Sequence, residues 1–383
     1  MYDPVPTRFR TAAKLELVPE VRPPAQLPPL PAVDWSSIGA TPPVVRTQPW
    51  DPDSALPKVD AVILTWTVAE GAALSHVFGG GDHPTPLDAG NEPRKRSGPK
   101  SPAWQDPWQY YRHNYTAVES SLPPGAPSLT AKAWGYGCLV DLPGRGKTVL
   151  LLKSDMHLST DKSTDPLAFL VKQLIDECKP DLILTIGTAG GTKLTDTLGS
   201  VVAANTAKFD LTGDLATRDF NQKTFGNDWI PDPASLASIH PLLLQIPATA
   251  PALTALAQQV TGCGKPEDCT LAALQNAALD GRTPKVTVTA DPVLTDNGYD
   301  IGDTDGNFAA YACLEMDDAI VAMACKAQNQ PFGILRNISD PVMNAGLPEA
   351  VQKSWSYLVY TAYGLYTSYN GALSAWASVA GMK

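Results

Sequence analysis

Three groups of residues in this 383-residue chain combine types and spacing that could do chemistry: the run Gly187-Thr188-Ala189-Gly190-Gly191, the acidic cluster Glu315-Met316-Asp317-Asp318, and Asp340 at the end of Ile338-Ser339-Asp340. The first follows an apolar, β-branched stretch, so its glycines let a backbone come close to a ligand while Thr188 supplies a hydroxyl. Its spacing matches neither G-x-x-x-x-G-K-[ST] nor G-x-G-x-x-G, which argues against a nucleotide-phosphate cradle. Taken singly, the acids have structural explanations: a carboxylate at a helix start caps it or faces its dipole, and one after a strand forms a turn. Cys263 and Cys269 in "TGCGKPEDC" could form a loop disulfide or supply two metal ligands. No second Cys/His pair lies nearby to complete a zinc site, and they read as structural or incidental thiols.

The elements that must position these residues follow from periodicity. "VDAVILTW" reads as a buried strand leading to a helix from Glu70, and residues 133–154 read as a hairpin turning at Pro143-Gly144-Arg145-Gly146. Leu167, Leu170, Val171, Leu174, Ile175 and Cys178 recur at helical spacing, with Asp165 as N-cap, Pro166 at the first helical position and a stop before Pro180. "DLILTIG" and "GSVVAANTAKFD" are the next strands, giving a right-handed βαβ unit whose sheet is apolar on both faces and needs helices on both. "KVTVTADPVL" is a strand, "LEMDDAIVAMACKAQNQ" a helix, "PFGILRNISD" a strand, and a long C-terminal helix carries Trp355, Leu358, Val359, Ala362 and Tyr366. In an open α/β sheet, ligands sit where strands end, and all three groups fall there.

The organisation is a proline-rich arm over residues 1–58, stapled by Trp35 and Trp50, then one α/β domain over 59–383 with insertions at about 79–130 and 211–285. A net charge of −10, from 29 basic and 39 acidic side chains, disfavours nucleic acid as a partner. The start of the chain lacks the apolar core of a signal peptide and no run is long enough to span a bilayer, which reads as a cytoplasmic protein with no membrane partner. Cys138, Cys178, Cys313 and Cys325 lie in apolar segments and behave as small hydrophobes.

"CKPDLILTIGTAGG", "GSVVAANTAKFD", "LEMDDAIVAMACKAQNQPFGILRNISD" and "VILTWTVAEGAAL", in this order, resemble the nucleoside phosphorylase and nucleosidase superfamily, closest in pattern to the 5′-methylthioadenosine/S-adenosylhomocysteine nucleosidases. The resemblance covers about Asp60 to Trp376, without the arm and the insertions. It implies a three-layer α/β sandwich with a mixed central sheet.

It also implies cleavage of a purine N-glycosidic bond. Such a reaction passes through an oxocarbenium ion, so it needs an acid for the leaving base, a grip on the ribose and an activated nucleophile. By resemblance, Asp340 protonates the purine and Glu70 activates water. Asp317, Met316, Thr188 and Glu315 bind the ribose, with Asp317 in the place of a glutamate and Thr188 in that of a serine. Val293, Leu294, Ala189 and Gly190 meet the base. Neither "ILTWTVAEG" nor "LILTIGTAGG" holds an arginine for phosphate, and Thr185 stands where some phosphorylases carry one, which favours hydrolysis over phosphorolysis. Thr67 and "SDMHLSTD" make the 5′ pocket more polar than an alkylthio tail requires, and His157 either reaches a polar 5′ group or is a loop histidine. No metal or organic cofactor is implied, with phosphate a co-substrate only in the phosphorolytic alternative; the partners are a small purine nucleoside and a second copy of the chain, a dimer foremost. A nucleoside-binding protein without catalysis is the remaining alternative.

Overall fold

The computed structural model describes residues 29–80, 108–121, 134–158, 164–245, 283–298, 303, 305–342 and 349–383. Cys263, Cys269, residues 1–28 of the arm, the greater part of the first expected insertion and residues 246–282 of the second lie outside them. In chain order the described elements are β1 (Val44–Val45), β2 (Ala61–Thr65), α1 (Val68–Gly79), β3 (Gln109–Tyr111), α2 (Tyr115–Ser121), β4 (Gly135–Leu142), β5 (Lys147–Ser154), α3 (Thr164–Cys178) and β6 (Leu182–Gly191). They continue with β7 (Val201–Ala204), β8 (Thr206–Phe209), β9 (Thr224–Gly226), α4 (Pro233–Ser238), β10 (Val286–Val288), β11 (Val293–Thr295), β12 (Leu314–Glu315), α5 (Asp318–Ala327), β13 (Phe332–Pro341) and α6 (Glu349–Ala380).

The thirteen strands described belong to one mixed sheet, ordered β1-β4-β5-β2-β6-β12-β11-β8-β9 along its main path, with β13 beside β6 and β7. At its centre β5, β2, β6 and β13 are parallel, so their carboxyl ends share one edge. Alternation distributes the core: Val62, Leu64, Leu150 and Leu152 face α3 and α5, while Ala61, Ile63, Val149 and Leu151 face α1 and the later turns of α6. This is the expected three-layer α/β sandwich.

Local departures from the expected elements have local causes. The glycine run is not a loop, because β6 continues through Gly191 in parallel register with β13 up to Pro341. Helix α1 starts at Val68, with Thr67 as N-cap and Glu70 in its third position, forming a reciprocal capping box. Asp165 lies inside the first turn of α3, not at its cap, and pairs with Arg218 at 2.5 Å. "GSVVAANTAKFD" splits at Asn205 into β7 and β8, and β9, from the expected second insertion, pairs with β8. From residue 29 the arm lies on the domain: Trp35 packs on Trp376 at 4.7 Å, Trp50 donates to the Tyr110 carbonyl at 2.8 Å, and β1 pairs with β4. The four cysteines described are buried and free. Among the described residues no helix is long and apolar enough to cross a membrane.

Candidate active site

The carboxyl ends of β2, β6 and β13, the start of α5 and the early turns of α6 enclose a cleft of about 840 Å³, its open mouth included. Glu70, Thr188, Asp317 and Asp340 all line it.

Glu70 is buried and saturated with donors. One carboxylate oxygen accepts from Thr65 Oγ1 (2.7 Å), Trp66 N (3.0 Å) and Thr67 N (2.8 Å), and the other from Thr188 N (2.8 Å) and Thr188 Oγ1 (2.9 Å). Burial opposes its charge, but Arg336 and these donors outweigh that and hold the carboxyl below its ordinary value. Glu70 is therefore an ionised group at neutral pH, and its donor Thr188 lines the cleft beside it.

Arg336 on β13 organises the rest. Its Nε and Nη2 form a fork on Asp318 at 2.8 and 2.6 Å, and Nη2 also reaches Glu315 at 2.9 Å. The guanidinium lies 5.1 Å from the Trp66 ring centroid. Burial disfavours its charge, yet Asp318 and Glu315 hold its pKa well above the usual value. The glycine at position 187 belongs to this arrangement, since a Cβ there would sit 2.0 Å from Arg336 Nη1 and 3.1 Å from Glu70 Oε1.

At the start of α5 the roles of neighbouring acids separate. Glu315 accepts from the Asp317 and Asp318 amides at 2.6 and 2.9 Å, so it caps the helix, and Thr295 Oγ1 donates to it as well. Asp317 occupies the N-cap position without capping. Its carboxylate turns instead to the segment after β5, accepting from Leu158 N at 3.0 Å and lying 3.5 Å from His157 Nε2. Burial pushes Asp317 up to about 8, although the Leu158 amide and Arg336 favour its charged form. Burial and the Asp318 carboxylate likewise push Glu315 up to about 8. Asp340, at the end of β13, is raised to about 6 by burial, with Ser339 Oγ donating to it at 2.5 Å and pulling the other way.

Residues 159–356 match the family model of the phosphorylase superfamily. The chain belongs to the phosphorylase superfamily. A stretch of 167 residues is 27% identical to a 5′-methylthioadenosine/S-adenosylhomocysteine nucleosidase of Exiguobacterium sp., covering 44% of this chain and 59% of that protein. The chain thus spans less than two thirds of the length of that relative. Among solved structures it is similar to the nucleosidase of Neisseria meningitidis in complex with methylthio-immucillin-A (14% identity, 84% of this chain and 99% of that one, TM-score 0.42). Similar too are the Streptococcus pneumoniae nucleosidase with 8-aminoadenine (13%, 84% and 100%, TM-score 0.45) and a futalosine hydrolase mutant of Helicobacter pylori (13%, 85% and 99%, TM-score 0.42).

In this superfamily member Met316, Ala189 and Gly190 also line the cleft, and so does Glu315, whose carboxylate is engaged by Arg336 and the α5 amides and not directed to a sugar. Val293 and Leu294 do not line it. Both are fully buried, Val293 in the larger core and Leu294 against Phe308, Leu314 and Val342, because β11 is a central strand covered on both faces. Their segment reaches the cleft at Gly298. Sequence reasoning passed over Arg336, although a lone cation inside the apolar strand Phe332–Ile338 is itself a signal, since a buried charge must be paired. It also passed over Trp66, Tyr357 and Tyr360, which line the cleft, and left His157 between two readings. Nothing in their local spacing marks the first three apart from core aromatics.

Proposed function

We propose that this protein hydrolyses the N-glycosidic bond of a purine nucleoside or nucleoside derivative. The observation that carries the reading is the convergence of Glu70, Asp317 and Asp340 on one cleft at the carboxyl edge of the sheet. Asp340 has the raised pKa of a group that still holds a proton near pH 6, suiting it to protonate the departing base. As that proton moves to the purine ring nitrogen, the bond from the anomeric carbon to the base breaks and its electron pair leaves with the base. Water attacks the resulting oxocarbenium ion, its proton passing to Thr188 Oγ1 as the Thr188 hydroxyl proton passes to the Glu70 carboxylate. With its oxygens fully bonded, Glu70 acts through Thr188: the water donates to Thr188 Oγ1 while that hydroxyl donates to Glu70. The fixed negative charge of Glu70 also stabilises the cationic sugar. Asp317 grips the ribose hydroxyls.

Hydrolysis is preferred over phosphorolysis because Arg336, the sole arginine or lysine among the described residues lining the cleft, is committed to Asp318 and Glu315 and offers no free fork to a phosphate. Alkylthio nucleosides, plain purine nucleosides and futalosine are the substrates to compare. The test is base release from such a panel with and without phosphate: release without phosphate supports the reading, and dependence on phosphate, or no release from any member, refutes it.

A further inference from the structure

We propose that His157 is the second sugar-hydroxyl ligand of the cleft, completing the grip of Asp317 and making the site selective for a sugar that keeps both ring hydroxyls. The inference rests on the nucleosidase reading above.

A vicinal diol presents two O–H groups, which a carboxylate meets best with one oxygen each. Asp317 cannot offer both equally. Its Oδ1 accepts the Leu158 amide at 3.0 Å, leaving Oδ2 as the less encumbered acceptor. His157 Nε2 stands 3.5 Å from that same Oδ2, in contact with it but beyond a good hydrogen bond. The imidazole therefore sits where a hydroxyl bound to Oδ2 would have its neighbour. Its side chain is 15% exposed and lines the cleft, whereas that of Asp317 is 2% exposed, so the ring is the more accessible of the pair.

The segment carrying His157 is held firmly enough to select. Ser154 Oγ accepts from Met156 N at 3.0 Å, the Asp155 amide donates to the Trp134 carbonyl at 2.9 Å, and Met156 and Leu158 are fully buried on either side. A polar group on a fixed segment loses little freedom when it binds, which is what makes a hydroxyl contact discriminating.

The experiment measures kcat/KM for a cleaved nucleoside, its 2′-deoxy form and its 3′-deoxy form with the wild-type protein, His157→Ala and His157→Gln, alongside thermal unfolding of each. Wild-type protein should favour the full diol by about 10–100-fold. His157→Ala should lose about that factor on the full substrate and on one deoxy form, chiefly through KM. It should leave the other deoxy form, which lacks the hydroxyl that His157 holds, nearly unchanged. His157→Gln, which keeps an N–H donor, should recover part of the loss. An equal loss on all three substrates, or unchanged discrimination in both variants, overturns the proposal while leaving the nucleosidase reading intact. Absence of base release from any nucleoside by the wild-type protein overturns that reading and the proposal with it.

Discussion

Arg336→Met tests the electrostatic frame of the site most directly. The substitution keeps an unbranched side chain of similar length but removes the fork on Asp318, at 2.8 and 2.6 Å, and the contact with Glu315 at 2.9 Å. Two buried carboxylates lose their counter-ion, with Asp317 and Glu70 close by. Removing one partner of a buried pair costs about 3–5 kcal/mol where the other stays charged. In a domain of this size that corresponds to a fall in Tm of about 4–7 °C. The sign of its pH dependence follows from linkage. Without Arg336, Glu315, already pushed up to about 8 beside it, binds its proton still more tightly when folded than when unfolded. Carboxyls raised in this way leave stability intact below the unfolded pKa of about 4 and lower it as pH rises towards the folded value. The deficit of the variant should therefore be largest near pH 8 and shrink towards pH 5, most of the change falling close to pH 8, where wild-type Glu315 gives up its proton. Thermal unfolding of both proteins from pH 5 to 8 measures this. A deficit of the same size at both ends would mean that only packing was lost, and a Tm within about 1 °C of wild type at pH 8 would refute the reasoning.

Asp340→Asn should fold normally and lose base release by about 10²–10⁴, and turnover within several-fold of wild type would remove Asp340 as the acid. In the wild-type protein, the value of about 6 for Asp340 should appear as an alkaline limb of kcat/KM near that pH, because the protonated form is the active one. Glu70→Gln should reduce kcat more than it raises KM, since Glu70 has no place on the substrate except through Thr188 and the charge of the transition state; a change confined to KM would contradict that role. Gly187→Ala should cost stability and activity together, its Cβ meeting Arg336 Nη1 at 2.0 Å, and a variant with wild-type Tm and kcat/KM would show that the guanidinium can move aside.

How far the chain could be read shows in particular residues. The unbroken apolar run Ala61–Leu64, buried on both faces, and the helical spacing of Leu167 to Cys178 report burial directly, because each residue's face follows from its near neighbours. The order of strands and helices, and with it the sandwich, was legible on that basis, and so were the segments that bring Glu70, Asp317 and Asp340 to one edge. The glycine run misled, since its glycines answer to Arg336 and Val342, side chains about 150 residues away in the chain that a Cβ at 187 or 190 would strike.

The amino-acid sequence by itself determined the elements, their layering and which strand ends hold acids, because those depend on local period and composition. Only the tertiary structure decided what each acid is free to do. Glu315 is tied to an amide pair and Arg336, Glu70 is saturated by five donors, and Asp317 is turned towards His157 and Leu158. The charge and reach of a carboxylate are set by partners within about 3 Å, and in this fold Thr188, Leu158 and Arg336 among those partners come from segments remote in sequence.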